Sequence, residues 1–188
     1  MNYPNGINHD NKKEISYSNR GMTLESEINE SNEYYRTIEK AYIYKKPTPI
    51  KITKVDYPSR DKAIIKEAFF TTPSTTDYNG LYKDKYIDFE AKETKSKTAF
   101  ALTNIHSHQI KHLENINNNG GIAFLIVRFT TINKTYLLMA NDFLYFLKKT
   151  NRKSIPLDYF EEKGYLIKDS YRPIIDYLKI IDNIIGGI

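Results

Sequence analysis

The segment GIAFLIVRF at residues 121–129 constrains the fold of this chain more than any other stretch of its sequence. A nearly continuous apolar run of this length is typical of a central strand that is buried on both faces. The segment NIHSHQIKHLENINN before it has apolar residues at helical spacing, and TYLLMA after it is a plausible pairing partner. With the elements predicted elsewhere, this order indicates an α/β fold in which helices flank a mixed β-sheet.

Further helices are predicted on both sides of this segment in the chain. MTLESEINESNEYYRTIEK has apolar residues near one helical face, and Thr23 is a plausible N-cap. NDFLYFLKK predicts a helix that is capped by Asn141 or Asp142, and LDYFEEKG predicts a short helix. PIIDYLKIIDNII predicts a C-terminal helix that is opened by Pro173.

A long hairpin is predicted early in the chain. Residues 50–57 and 63–70 alternate with period two, and the turn signal YPSRD lies between them. They indicate a hairpin over about 50–72 with little material that faces a core. Its side chains combine cations with aromatic rings and include Lys62, Lys66 and Phe70.

A second hairpin contains YIDFEAKET, the segment whose residue types most clearly suggest a catalytic site. Because side chains alternate along a strand, Asp88, Glu90 and Lys92 share one face. A turn-rich stretch that ends in Asn-Gly at 79–80 precedes it, and LYK and YIDFEAKET flank the turn DK. Strand pairing around this turn returns Glu90 towards Asp77, so two carboxylates and a lysine converge.

Such a group suits phosphodiester hydrolysis. Mg²⁺ binds hard oxygens through one or two carboxylates and activates a bound water. A lysine two residues after the carboxylate can stabilise the attacked phosphorus. The triplet alone is weak, because it also occurs at Asp10–Lys12, Glu93–Lys95 and Glu161–Lys163. A solvated sheet face is therefore the alternative interpretation.

Polar residues of the helix before the central strand offer two further hypotheses. Gln109 falls inside the apolar arc of this helix, where a polar side chain needs a partner. That partner is either a neighbouring backbone group or a metal-bound water. His108 and His112 have the i, i+4 spacing of helical zinc sites, with His106 nearby. No third ligand is evident, so a solvated histidine face is favoured over zinc.

The composition bounds where such a protein works. The chain has 188 residues and a net charge of +5, which favours polyanionic partners such as nucleic acid. The absence of cysteine excludes disulfides and thiolate zinc sites and fits a reducing cytoplasm. No apolar run approaches the roughly 20 residues that span a membrane. Residues 1–19 are polar without apolar periodicity and predict a flexible arm before a single domain over 20–188.

The chain resembles the RecU family of Holliday junction resolvases in the order and spacing of five sequence motifs. These are SNRGM, KKPTP, STTDYNG, YIDFEAKET and HQIKH. The similarity spans about residues 15–180, with further likeness at YPNG and RPIIDYLK. This resemblance implies a restriction-endonuclease-like core, a symmetric homodimer and a need for Mg²⁺ or Mn²⁺. It also implies that two opposing strands of a four-way DNA junction are nicked during recombinational repair.

The same resemblance assigns roles to particular residues. It places Thr75, Asp77, Glu90 and Gln109 at the metal, with Lys92 as the group that stabilises the transition state. The long hairpin is similar to a stalk that enters the open centre of the junction, where Arg60 and Phe70 match positions tied to junction binding or distortion. Arg20 matches an arm residue implicated in contacts with DNA or with a RecA-type recombinase.

Two other functions stay open at this point. The first is a structure-selective DNA-binding or recombinase-modulating protein whose cleavage is incidental, in which changes to the stalk would matter most. The second is a general or sequence-specific nuclease of the same fold, which would cut linear duplex DNA equally well.

Overall fold

The structure is a computed structural model and describes residues 23–70 and 75–186, apart from the side chain of Arg60. Arg20 and the predicted arm lie outside the described residues. The helices are α1 Leu24–Thr37, α2 Ser107–Asn118, α3 Ala140–Lys149, α4 Leu157–Lys163 and α5 Tyr177–Ile185. The strands are β1 Tyr42–Lys45, β2 Ile50–Asp56, β3 Ile64–Phe70, β4 Tyr78–Tyr82, β5 Lys85–Thr94, β6 Ala99–Ala101, β7 Ile122–Phe129, β8 Lys134–Met139, β9 Ser154–Pro156 and β10 Tyr165–Ile167.

A six-stranded sheet forms the centre of the molecule, with the strand order β1-β4-β5-β7-β8-β10. Strands β5 and β7 run parallel, and every other neighbouring pair in this sheet is antiparallel. The apolar segment predicted as the central strand is β7, and the predicted partner TYLLMA is β8. The predictions of a mixed sheet and of this strand pairing are confirmed.

Two hydrophobic clusters occupy the two faces of this sheet because side chains alternate along β7. Phe124 and Ile126 join the cluster that also includes buried residues of α1 and α5. Leu125 and Val127 join the cluster that includes buried residues of α2, α3 and α4. Helices therefore cover both faces, and the predicted fold class is confirmed. None of the helices in the described residues is long and apolar enough to span a membrane.

The predicted long hairpin is formed by β2 and β3, which pair antiparallel from Ile50 opposite Phe70 to Asp56 opposite Ile64. All seven residues of each strand are exposed. A short 3₁₀ turn at Arg60–Lys62 joins the strands near the tip. The hairpin therefore protrudes from the sheet, within about one residue of the predicted strand limits.

The prediction of a turn at Asn79–Gly80 was wrong, because both residues lie within β4. A Cβ atom at Gly80 would lie 2.1 Å from the carbonyl oxygen of Tyr42 in β1. Glycine is thus needed here for close strand approach and not for a turn. The turn of this hairpin lies at Lys83 and Asp84, one residue before the predicted turn DK, and the φ angles of 44° and 57° there are left-handed.

Two predicted helix starts also need correction. Helix α5 begins at Tyr177 and not at Pro173, because Ile175 forms a β-bridge with Asp169 and keeps this stretch extended. The side chain of Asp176 caps α5 by accepting a hydrogen bond from the Lys179 N–H. Helix α3 begins at Ala140 with Met139 as its N-cap, because it follows β8 without a loop. Thr23, by contrast, caps α1 as predicted.

Candidate active site

The hairpin of β4 and β5 brings two carboxylates together. Tyr78 pairs with Phe89, so Asp77, at the entrance to β4, lies beside Glu90 of β5. The Asp77 N–H donates a hydrogen bond to Glu90 Oε2 at 3.1 Å. The Ala91 N–H donates in turn to Asp77 Oδ2 at 3.2 Å. A backbone N–H of the neighbouring segment therefore holds each carboxylate in place.

Lys92 and Gln109 complete this group from two directions. The Lys92 ammonium forms an ion pair with Glu90 and lies 3.9 Å from Asp77 Oδ2. The Gln109 Nε2 donates to Glu90 Oε1 at 2.6 Å, while the Gln109 Oε1 accepts from the His106 N–H at 2.9 Å. Gln109 is buried at the start of α2, as its place in the apolar arc predicts, and its partner is Glu90.

The electrostatics of the pair fit a divalent cation. Burial, and then the negative charge of Asp77, raises the pKa of Glu90 to about 7, although Lys92 acts in the opposite direction. Two close carboxylates with one lysine leave the group short of positive charge. Carboxylate oxygens are the ligands that Mg²⁺ and Mn²⁺ prefer. The donor set therefore suits a divalent cation that is bound through one or two carboxylates.

The site is open on the side of Asp77. The side chains of Asp77 and Lys92 are 33% and 27% exposed, whereas that of Glu90 is fully buried. A cleft of about 400 Å³ adjoins Asp77 and is lined by Thr23, Leu24, Glu25, Asp77, Ala91 and Glu93. A ligand can thus reach Asp77 from this cleft, whereas the side chain of Glu90 is closed off from solvent.

Thr75 lies two residues before Asp77, is exposed, and accepts a hydrogen bond from Lys46 Nζ at 3.0 Å. Through Lys46 it joins a group of residues that the sequence interpretation missed. These residues surround the buried carboxylate of Asp88 and are Lys46, Thr76, Tyr86 and His112. The i, i+3 spacing of Gln109 and His112 could have indicated that both point at the same strand face.

The histidines show no sign of a zinc site. His106 and His108 stack on each other, with ring centroids 5.4 Å apart, and His112 contacts Asp88 instead. Within residues 23–70 and 75–186, no three histidine, aspartate or glutamate side chains converge as metal ligands. The predicted solvated histidine face is therefore wrong for His112, which is partly buried against Asp88.

The predicted DNA-binding residues lie away from the carboxylates, on the β2–β3 hairpin. Phe70 is 82% exposed at the base of β3. Lys62 is exposed in the tip turn, and Lys66 lies 3.5 Å from Asp56 on the opposite strand. The side chain of Arg60 and all of Arg20 lie outside the described part of the chain.

The chain is similar to known proteins. A family model described as RecU, Recombination protein U, matches residues 19–183. Proteins named Holliday junction resolvase RecU from Bacillus mycoides (strain KBAB4) and Bacillus cereus (strain G9842) are each 49% identical to it over 195 residues. Both alignments cover 98% of this chain and 98% of the relative.

One solved structure also resembles the chain. It is the structure of Hjc, a Holliday junction resolvase from the archaeal hyperthermophile Archaeoglobus fulgidus. The TM-score is 0.43 at 11% sequence identity, over 72% of this chain and 93% of that chain.

Proposed function

The chain belongs to the RecU family, and on this basis we propose that it is a metal-dependent endonuclease that resolves Holliday junctions by paired, symmetric nicks. The observation that carries this proposal is the pairing of Asp77 with Glu90, with Lys92 beside both carboxylates. The partial exposure of the Asp77 and Lys92 side chains gives a DNA phosphate access to this group.

The cofactor is proposed to be Mg²⁺, for which Mn²⁺ substitutes. Asp77 and Glu90 would hold it, with Thr75 at the exposed edge. When bound, the cation supplies a water of lowered pKa and neutralises charge on the phosphate. Gln109 would serve the metal site by fixing Glu90, because its own oxygen is engaged by the His106 N–H.

Lys92 is proposed to act on the transition state. Its ammonium forms an ion pair with Glu90 and lies 3.9 Å from Asp77 Oδ2, and its side chain is 27% exposed. A cation there meets the negative charge that develops on the phosphate as the water attacks. Asp77 and Glu90, both fixed by backbone or amide donors, keep their geometry while this charge changes.

Substrate choice is proposed to come from the β2–β3 hairpin. Its exposed cations, among them Lys62 and Lys66, suit phosphates, and the exposed ring of Phe70 suits a base that is unstacked at the branch point. Arg60, in the tip turn, is proposed to act with them on the junction. Two equal nicks across a two-fold junction call for two symmetric sites, hence a homodimer. Arg20, which directly follows the arm over 1–19, is proposed to contact DNA or a RecA-type recombinase in the cytoplasm.

Cleavage of a labelled synthetic four-way junction, beside linear duplex of the same sequence, tests this function. Wild type and Glu90→Gln would be assayed with Mg²⁺ and then with EDTA. We expect paired symmetric nicks only from metal-loaded wild type, and a loss of more than about 100-fold in Glu90→Gln, because even groups that merely orient ligands contribute 10- to 100-fold. Junction binding should survive the substitution.

Glu161→Gln is the matched control, because Glu161 has the same Glu-x-Lys context but is exposed on α4. It should cleave like wild type. Normal cleavage by Glu90→Gln would contradict the proposed site. Equal cutting of linear duplex would favour a general nuclease, and binding without cleavage under every condition would favour a junction-binding protein.

A further inference from the structure

Lys46 makes an unusual set of contacts immediately beside the proposed metal site. Its Nζ lies 3.0 Å from Thr75 Oγ1, 2.6 Å from Thr76 Oγ1 and 2.8 Å from Asp88 Oδ2. Its backbone N–H donates to the carbonyl oxygen of Asp77 at 2.8 Å. Lys46 therefore contacts each of the three consecutive residues 75–77.

The ammonium of Lys46 points into the protein. A lysine has three N–H donors, and Thr75, Thr76 and Asp88 offer acceptors for all of them. The side chain is only 15% exposed. A lysine that served a DNA phosphate would keep donors free, so these contacts indicate a residue that holds other protein groups in place.

Asp88 anchors this arrangement from the sheet. It is fully buried on β5, two residues from Glu90 on the same strand face, and also bonds the Thr76 hydroxyl. His112 Nε2 and the Tyr86 hydroxyl each lie 3.0 Å from Asp88 Oδ2. A buried carboxylate is costly unless it is paired and hydrogen-bonded, and Asp88 has both kinds of partner. The group is therefore ordered independently of a bound cation.

The position of Lys46 along the chain links this group to the hairpin. Lys46 directly follows β1, where the chain leaves the sheet towards β2. Residues 75–77 lie where the chain enters β4 after β3. The contacts of Lys46 thus tie the outgoing base of the β2–β3 hairpin to its returning base, and the returning base carries Thr75 and Asp77.

We propose that Lys46, held by Asp88, is a positioning residue that fixes the segment 75–77 and thereby sets the affinity of the proposed metal site. This role of Lys46 rests on the proposed function. It connects the base of the β2–β3 hairpin mechanically to the carboxylates. A hairpin that is displaced by DNA acts on Asp77 through Lys46. Residues of this kind, which orient ligands without touching the metal, typically affect metal affinity 10- to 100-fold.

Binding of Mn²⁺ alone, followed by electron paramagnetic resonance in the absence of DNA, tests this role. We expect Lys46→Met to raise the Kd for Mn²⁺ about 10- to 100-fold. Lys46→Arg, which keeps a cation near Asp88, should recover most of the affinity. Junction binding in EDTA should stay within about twofold of wild type, because the Lys46 donors are engaged by protein groups and no residue of β2 or β3 is replaced.

Two further variants separate positioning from folding. Lys46→Met leaves the Asp88 charge buried without its lysine, which destabilises a fold. Lys46→Met/Asp88→Asn removes both charges and should fold, yet it still lacks the lysine contacts to Thr75 and Thr76. Lys134→Met is the matched control, because Lys134 pairs with Glu161 at the same distance of 2.8 Å on β8. It should bind Mn²⁺ like wild type.

The outcomes are distinguishable. Weak Mn²⁺ binding in the folded double variant, with recovery in Lys46→Arg, supports the positioning role. Wild-type affinity in the folded double variant overturns the role of Lys46 and leaves the proposed function intact. A wild-type protein that binds no Mn²⁺ overturns the metal site, and with it any role of Lys46 there.

Discussion

Two antiparallel hairpins follow one another in this chain and have opposite surroundings. The β4–β5 hairpin lies inside the sheet, and Phe89 at its centre stacks between Tyr78 and Phe124 with ring centroids 4.8 and 4.7 Å away. The β2–β3 hairpin stands outside the sheet, with every residue of both strands exposed. Packing within the sheet accounts for the β4–β5 hairpin, whereas packing within the described residues does not account for the β2–β3 hairpin.

Burial accounts for each face of β4–β5. Apolar side chains of β5 enter the core on one face, while Asp88 and Glu90 on the other face find polar partners near α2. No such account exists for the exposed Ile50, Ile52 and Phe70 of the β2–β3 hairpin. An isolated two-stranded hairpin is marginally stable, and exposed apolar groups in number indicate a binding surface. We therefore expect DNA or a second copy of the chain to bind this hairpin and cover its exposed apolar side chains.

The same substitution in the two hairpins should have very different effects on stability. Phe89→Ala removes a fully buried ring that is stacked on both sides and should lower the free energy of unfolding by about 3–5 kcal/mol. Phe70→Ala removes a ring that is 82% exposed and should change it by less than about 0.5 kcal/mol. Urea denaturation followed by far-UV circular dichroism measures both values.

Similar losses of unfolding free energy in Phe89→Ala and Phe70→Ala would contradict this difference between the hairpins. That result would mean that Phe70 is buried in the form of the protein present in solution. Repeating the denaturation at several protein concentrations distinguishes burial against a second copy, because only association makes the midpoint depend on concentration.

The sequence predicted the elements whose environment is set locally. The apolar run of β7 implied burial on both faces, and the alternation in β5 placed Asp88, Glu90 and Lys92 on one side. Gln109 was identified because a polar residue inside an apolar arc needs a buried partner. In each case, the periodicity of one helix or strand contains the necessary information.

Other features depend on which elements become neighbours, and local patterns do not contain that information. Lys46 contacts residues 75–77 only because β1 pairs with β4, although about 30 residues separate them in the chain. Gly80 is required by the approach of β1, so its Asn-Gly context misled the turn prediction. Pro173 precedes a stretch that Ile175 holds extended, which delays α5 to Tyr177.

The exposed ring of Phe70 should contribute little to folding but should contribute to junction binding, because we expect it to contact a base. We expect Phe70→Ala to weaken junction binding about 5- to 150-fold, which corresponds to the roughly 1–3 kcal/mol of one base stacked on an aromatic ring. Fluorescence anisotropy with a labelled junction in EDTA measures this without cleavage. Tyr145→Ala, an exposed aromatic on α3, is the control and should bind normally. Equal junction affinities of Phe70→Ala and wild type would show that Phe70 does not stack on a base of the junction.

The smallest expected effect concerns single charges on the same hairpin. Lys62 is exposed in the tip turn and has no ion pair among the described residues, whereas Lys66 lies 3.5 Å from Asp56. If Lys62 contacts one phosphate, Lys62→Ala should reduce the slope of log K against log salt concentration by about 0.9. Lys66→Ala should reduce it less, because its charge is already partly balanced.

Measuring junction affinity at several salt concentrations tests this ranking, with Lys168→Ala as the control. Lys168 is also exposed but follows β10, at the edge of the sheet opposite to β1. An unchanged slope is expected for Lys168→Ala. The same slope loss in Lys62→Ala and Lys168→Ala would show that net charge, and not the position of the hairpin, governs the electrostatic part of binding. A loss confined to Lys62→Ala would place a phosphate at the tip, where a hairpin that enters the junction has to meet it.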